Sequence, residues 1–224
     1  MTRSIKLWSN ALLLSAIIGS SRVMAYALDP ACGDLTENYL HKPTDYRTAP
    51  QEQLNLVERP HFRTEHATIL KGQTEASSGY GQSYGGLMAG FDYTLRVFPN
   101  HHLALQDIDR LGLMLKTEKP AKAHFSLECY YKRAIAFVPD DSVVRLLYGL
   151  YLNRRGRIKE GVEQLQAAEE NAPDDSNVQY NLGLAWFQIK DYDKAREYAK
   201  RAYEGGFPLP GLRQMLIKAG QWKE

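Results

Sequence analysis

The chain has 224 residues, of which 44% are hydrophobic and 24% charged, and its 28 Lys and Arg residues nearly balance its 26 Asp and Glu residues. This is the composition of a globular protein, and the length suffices for one domain with an extension. The near-neutral charge excludes the strongly basic surface on which nucleic-acid binding depends, so we predict no nucleic-acid partner.

Residues 1–27 have the features of a secretory signal peptide. Two basic residues precede an apolar run at 7–18, which is too short to span a bilayer, and small residues with possible cleavage sites after Ala25 or Ala27 follow. Cleavage after Ala25 removes three of the 28 basic residues and none of the 26 acidic residues, leaving 25 basic and 26 acidic. We predict an exported protein, located in the periplasm, with no membrane span after cleavage. The alternative is an uncleaved membrane anchor.

The chain contains two cysteines, Cys32 and Cys129. In the oxidising compartment to which an exported protein is delivered, a single pair can form a structural disulfide, and we predict this bridge. Closing a loop of about 100 residues contributes on the order of 4 kcal/mol in the chain-entropy model. The alternative is two free thiols, with Cys129 a small core residue of its helix.

The strongest signal is self-similarity at a period of 34 residues. Small residues and turn sequences recur in the same phase: Gly149 and Gly183, Gly161 and Ala195, Ala168 and Ala202, Pro139-Asp140-Asp141 and Pro173-Asp174-Asp175. On these positions, and on Tyr148-Gly149 and Leu182-Gly183, residues 142–175 and 176–209 resemble tetratricopeptide repeats. The resemblance implies an all-α fold, a short right-handed helical solenoid of antiparallel helix pairs with an irregular N-terminal extension.

The rest of the helical part is less regular. Residues 92–141 are predicted to form degenerate repeat-like helices, with the clearest pair at 103–115 and 123–138. Residues 210–224 are predicted to form a C-terminal capping helix, because a solenoid would otherwise expose the apolar face of its last repeat.

The N-terminal part shows little periodicity. Residues 28–91 are predicted to form an irregular segment that contains a mobile Gly/Ser-rich loop at 72–90 and a short helix opened by Pro60 and ending near Leu70.

In tetratricopeptide proteins the first helix of each repeat lines a concave groove that binds a partner. By that resemblance ten residues would line the groove here: Leu146, Leu150, Asn153, Arg154, Asn177, Tyr180, Asn181, Leu184, Phe187 and Gln188. Apolar side chains with amides among them suit a protein or peptide segment. Repeat domains that clamp a terminal carboxylate use Lys and Asn, and only Asn181 fits that pattern. The alternative is that residues 28–58 fill the groove.

No motif supports catalysis, a cofactor or a metal. The glycines near residues 79–85 lack the spacing of a nucleotide loop, and no nucleophile motif is present. The histidines lack the spacing of metal ligands: His41, His61, His66, His101, His102 and His124. We predict a protein that is not an enzyme and needs no cofactor or metal.

From Cys32 onward the chain also resembles exported bacterial tetratricopeptide proteins of unassigned function. The similar stretches are Tyr93-Thr94-Leu95-Arg96, Phe98-Pro99-Asn100-His101-His102 and Phe207-Pro208-Leu209-Pro210-Gly211-Leu212-Arg213. The sequence therefore predicts an adaptor or scaffold of the cell envelope. The alternatives are a permanent structural subunit of an envelope complex and an envelope hydrolase or metal-binding protein. The oligomeric state is left open.

Overall fold

A computed structural model of the chain describes residues 28–35, 42–75 and 86–223. The predicted signal peptide, His41 and most of the predicted Gly/Ser-rich loop lie outside these residues. In the described ranges all regular secondary structure is helical: a 3-10 turn at Pro30–Cys32 and ten α-helices, with no β-strand. The helices, in chain order, are α1 Gln51–His61, α2 Arg63–Leu70, α3 Leu87–Val97, α4 His102–Leu115, α5 Leu127–Phe137, α6 Ser142–Arg154, α7 Ile158–Asn171, α8 Ser176–Gln188, α9 Tyr192–Glu204 and α10 Gly211–Lys218.

The most regular part is the two helix pairs α6–α7 and α8–α9. Their first helices begin one residue after Asp141 and Asp175, whose carboxylates accept backbone N–H groups of the first turn. Within the first pair, a Cβ atom on Gly149 would lie 3.0 Å from the carbonyl oxygen of Gly161. Glycine is therefore needed for the two helices to approach this closely, which explains the small residues that recur in the sequence.

Large apolar side chains fill the space between the pairs. One buried cluster joins α6, α7 and α8, and contains Leu146, Val162, Leu165, Val178 and Leu182. A second joins α8 and α9 to α10, where Leu212 and Leu216 are fully buried. Helix α10 covers the last repeat as predicted for a solenoid cap.

The pair α4–α5 follows the same plan with a longer connection. Helix α5 begins at Leu127, four residues later than predicted, because the Ser126 hydroxyl accepts the N–H of Cys129 and caps the helix there. Side chains of α4, α5 and α6 form the largest core cluster, which also includes residues from α3.

The N-terminal segment is more ordered than predicted. Two helices, α1 and α2, occupy residues 51–70 and pack against α3. Pro60 does not open a helix, as we predicted, but lies near the end of α1, which breaks at Phe62. A proline lacks the N–H that continues a helix, so a break next to it is expected. None of the helices in the described residues is both long and apolar enough to cross a membrane.

Candidate functional site

The first helices of successive pairs lie side by side, because α4 contacts α6 and α6 contacts α8. We call the exposed surface of α4, α6 and α8 the first-helix face. It is the surface on which the sequence placed the binding groove. The predicted groove residues all belong to α6 and α8, and they divide into three groups by their contacts.

Two predicted groove residues are buried in the core. Leu146 is 5% exposed and belongs to the cluster between α6 and α8. Tyr180 is 8% exposed; its ring stacks on Phe207 with centroids 4.0 Å apart, and its hydroxyl accepts the N–H of Leu212 at 3.2 Å. Since the segment leading into α10 covers Tyr180, and α8 covers Leu146, we correct the prediction that these two side chains line an open groove.

Two others contact the second helix of their own pair. A Cβ on Gly161 would overlap the side-chain oxygen of Asn153, so Asn153 lies against α7. The Phe187 ring packs edge-on against Tyr192 at the start of α9, with centroids 5.4 Å apart. Both side chains are half-buried and lie near the turn between the helices of their pair.

The remaining six lie at the surface. Leu150, Leu184 and Asn181 are partly exposed, and Arg154, Asn177 and Gln188 are exposed. The Asn181 amide donates to the backbone oxygen of Asn177 at 2.8 Å and to its side-chain oxygen at 2.9 Å, so the two amides form one polar spot on α8. Arg154 forms an ion pair with Asp109 and so joins α6 to α4.

A row of three leucines runs across the first-helix face. The dipeptide Gly-Leu occurs once in each first helix: Gly112-Leu113, Gly149-Leu150 and Gly183-Leu184. Each glycine faces the second helix of its pair. The leucine after it is rotated by about 100° around the helix, away from that contact. We call Leu113, Leu150 and Leu184 the leucine row; Leu113 is 47% exposed and the other two are partly exposed.

Leu113 was not among the predicted groove residues. The step from Gly112 to Gly149 is 37 residues instead of 34, because the α4–α5 connection is longer, and the repeat template therefore loses its phase there. The recurring Gly-Leu pair is the sequence pattern that identifies Leu113 as the counterpart of Leu150 and Leu184.

The carboxylates of this region are buried and paired. Asp107 lies 2.6 Å from His66, and burial raises the pKa of Asp107 while the His66 hydrogen bond opposes the rise. Asp109 is paired with Arg154 and with Arg155. The exposed part of the face is therefore made of leucines, amides and arginines.

The predicted disulfide between Cys32 and Cys129 is present, and it ties the 3-10 turn to α5. Arg133 reinforces the attachment by donating to the backbone oxygens of Cys32 at 2.8 Å and Asp34 at 3.0 Å. Further along, residues 44–47 attach to the loops that precede α4 and α6. The described residues between 28 and 58 thus contact α2, α3, α5 and these loops.

Four of the described histidines lie next to carboxylates, and for His101 the neighbour is Glu58 at 3.5 Å. The partners of the other three are Asp107 for His66, Asp141 for His102 and Asp92 for His124. In the described residues, no group of three or more His, Cys, Asp and Glu side chains is arranged to hold a metal ion.

A family match agrees with the repeat architecture of the two regular helix pairs. A family model described as tetratricopeptide repeat matches residues 146–208. No curated protein matches the chain. Among solved structures, the chain is similar to the crystal structure of YrrB, described as a TPR protein with an unusual peptide-binding site; the identity is 18%, the match covers 70% of this chain and 71% of that chain, and the TM-score is 0.46.

The family match covers the regular helix pairs α6–α7 and α8–α9 except for residues 142–145 at the start of α6. Their N-terminal caps and glycine contacts supply the local structure that a repeat of this length requires. Residues 146–208 are therefore tetratricopeptide repeats.

Proposed function

We propose that this chain is an exported tetratricopeptide protein that binds a segment of another protein on its first-helix face, as an adaptor or scaffold in the cell envelope. The repeat fold supports a protein-interaction module, and the leucine row is the observation that carries the proposal. Leu113 presents nearly half of its surface to water, and Leu150 and Leu184, which pack partly against the buried clusters, leave apolar edges beside it on the neighbouring first helices. A partner's side chains can cover this apolar area.

The polar neighbours of the row suit the backbone of a bound segment. Asn177, Asn181 and Gln188 surround Leu184 on α8 and supply amide donors and acceptors. A bound peptide needs both apolar contacts for its side chains and hydrogen bonds for its own N–H and C=O groups. The face combines the two within one helix.

Export is supported by two independent features. The N-terminal sequence has the charge and apolar pattern of a signal peptide. The Cys32–Cys129 disulfide requires an oxidising environment to persist, as in the periplasm or outside the cell. N-terminal sequencing of the mature chain should begin at Tyr26 or Leu28, and a chain that starts at Met1 in the cytoplasm would contradict export.

Site-specific photo-crosslinking tests the binding face directly. A photoreactive amino acid at position 113 or 150 should crosslink one protein in living cells. The same group at position 163, an exposed glutamate on α7, is the control and should not crosslink that protein. Equal crosslinking from positions 113 and 163 would contradict binding on the first-helix face.

Crosslinking repeated in an envelope extract separates an adaptor from a permanent subunit. A partner bound by an adaptor should exchange when excess chain without the photoreactive group is added to the extract before irradiation. A crosslinked species that resists such exchange would favour the structural-subunit alternative, in which the leucine row is covered throughout the life of the complex.

A further inference from the structure

The exposed charge is of one sign on the first helices α4, α6 and α8 and on the two helices that flank them, α2 and α10. Helices α2, α4, α6, α8 and α10 form a continuous row, since each contacts the next. Every exposed charged side chain on these five helices is basic: Arg63, Arg110, Arg154, Arg213 and Lys218. Their only acidic residues are Glu65, Asp107 and Asp109, each no more than 2% exposed.

The second helices show the opposite arrangement of carboxylates. Helices α7 and α9 carry acidic side chains that are exposed to solvent: Glu160, Glu163, Glu170, Asp193, Glu197 and Glu204. The chain as a whole is close to neutral, so the lack of exposed acids is a property of the first helices and does not follow from composition.

Arginines accompany two of the three leucines at helical spacing. Arg110 precedes Leu113 by three residues, and Arg154 follows Leu150 by four. Residues three or four apart are neighbours on a helix surface, so each of these leucines has a cationic group about one turn away. Arg154 is paired with the buried Asp109, and Arg110 interacts electrostatically with the buried Asp107, so each arginine is partly balanced from below while its exposed side faces solvent.

We infer that the segment bound by the leucine row is acidic, with Asp or Glu side chains next to its apolar residues. This inference rests on the proposed function and adds the chemistry of the partner. A basic segment would place its cations against Arg110 and Arg154, where no exposed acid of the first helices could balance them. An acidic segment meets complementary charge at both arginines and amides beside Leu184.

The inference can be tested by selecting peptides from a random library displayed on phage. The disulfide-bonded chain is the bait, and the library contains peptides of every charge. Peptides that a Leu113→Asn bait no longer binds define those that use the face, because this variant removes the apolar side chain without adding charge. These peptides should be enriched in aliphatic residues and in Asp and Glu relative to the starting library. Enrichment in Lys and Arg, or no charge bias, would overturn the inference while leaving the proposed function intact.

A selection that yields no peptide sensitive to Leu113→Asn would contradict the proposed function itself, and the inference with it. For one selected peptide, the acidic residues can then be replaced by glutamine or lysine. Fluorescence anisotropy should show the affinity falling in the order Glu, Gln, Lys, and the differences should shrink in high salt, which screens charges beyond about 3 Å at 1 M.

Charge reversal on the protein completes the test. Arg110→Glu should weaken binding of the acidic peptide by about two- to fivefold, the range expected for one exposed charge pair, and should strengthen binding of the lysine version. Lys159→Glu, the same change at an exposed position of α7, is the control and should alter neither affinity. Equal effects of the two variants would show a general change in net charge and would overturn the local assignment.

Discussion

The N-terminal and C-terminal halves are built from the same unit, a packed pair of helices, but different contacts hold them. In residues 142–209 small residues let helices approach and apolar layers fill the space between them. The described part of residues 28–141 contributes most of the largest apolar cluster and adds to it a disulfide and buried polar side chains. Both halves therefore have an apolar core, and they differ in what accompanies it: a periodic pattern of small residues in one, individual long-range contacts in the other.

Asn100 illustrates the second case. It is fully buried between α3 and α4, and its amide donates to Asp45 at 2.7 Å and to Asp141 at 3.0 Å. Its side-chain oxygen accepts the N–H of Tyr46 at 2.9 Å. Arg47 completes the junction, and its hydrogen bond lowers the pKa of Asp45 to about 2. One asparagine thus joins the N-terminal segment to the cap of the first regular repeat.

The largest expected effect concerns the disulfide. The Cys32→Ser and Cys129→Ser double variant should lose about 4 kcal/mol of unfolding free energy, since the bridge spans 97 residues and long closed loops gain most from a crosslink. Urea denaturation measures this loss. Hydrogen exchange should accelerate around α5 and remain slow in α8 and α9; equal acceleration in both halves would show that they do not differ in how they are held.

The regular half should depend on its apolar layers. Leu182→Ala should cost about 3 kcal/mol, because the side chain is fully buried between α6 and α8 and truncation leaves a cavity. The control, Gln188→Ala on the exposed end of the same helix, should stay within about 0.5 kcal/mol. A Leu182→Ala protein as stable as the control in urea denaturation would refute the layered packing.

The next-largest loss of stability is expected from mutating Asn100. Asn100→Ala should cost about 2 kcal/mol, because Asp141 and the Tyr46 N–H lose buried hydrogen-bond partners. Asn177→Ala is the matched control on an exposed position and should change stability little. If both variants melt at the same temperature, the polar junction does not stabilise the N-terminal half.

Acid should weaken the N-terminal half through His101. This fully buried histidine caps α4 with its Nδ1 atom, which accepts the N–H of Ala104 at 3.1 Å. Burial lowers its pKa, although Glu58 lies 3.5 Å from the ring and opposes the shift. The unfolded chain therefore binds a proton that the folded chain excludes, and stability falls as pH drops below about 6.5, by up to about 1.4 kcal/mol per pH unit.

Thermal unfolding between pH 7.5 and 5.5 measures this loss. His101→Asn keeps a capping side chain and should flatten the pH dependence, while its melting temperature at pH 7.5 is lower because the ring contact with Tyr46 is gone. Burial also lowers the pKa of His61, so a smaller dependence should remain. If the His101→Asn variant shows the same dependence of stability on pH as the unmodified protein, His101 is not the source of that dependence.

The sequence predicted the regular half well because its packing repeats in phase. The glycines at 149 and 183 and the aspartate caps recur every 34 residues, and the helices begin where that pattern places them. The burial of Leu146 and Tyr180 was not predictable from the template alone. Burial depends on which neighbouring segment covers each position. Tyr180 is covered by residues 203–212, which contact its ring and its hydroxyl.

In the other half, the sequence offered fewer periodic signals. Helix α1 was missed because Pro60 looks like a starting residue, and only the contact with α3 shows that it lies at the end of a helix. The Asn100 junction joins residues about 40 to 55 positions apart, and such contacts leave no local pattern. The disulfide was predictable because only two cysteines were available to form it.

The central claim is that the leucine row binds a partner, and capture from a cell-envelope extract tests it most directly. Bait carrying Leu113→Glu should lose the protein that the unmodified chain retains, because a charge enters the apolar row. Leu209→Glu, the same change at a leucine that is 59% exposed outside the row, should retain that protein at an unchanged level. If Leu113→Glu, folded by circular dichroism, captures as much of the partner as Leu209→Glu does, the leucine row is not the binding site.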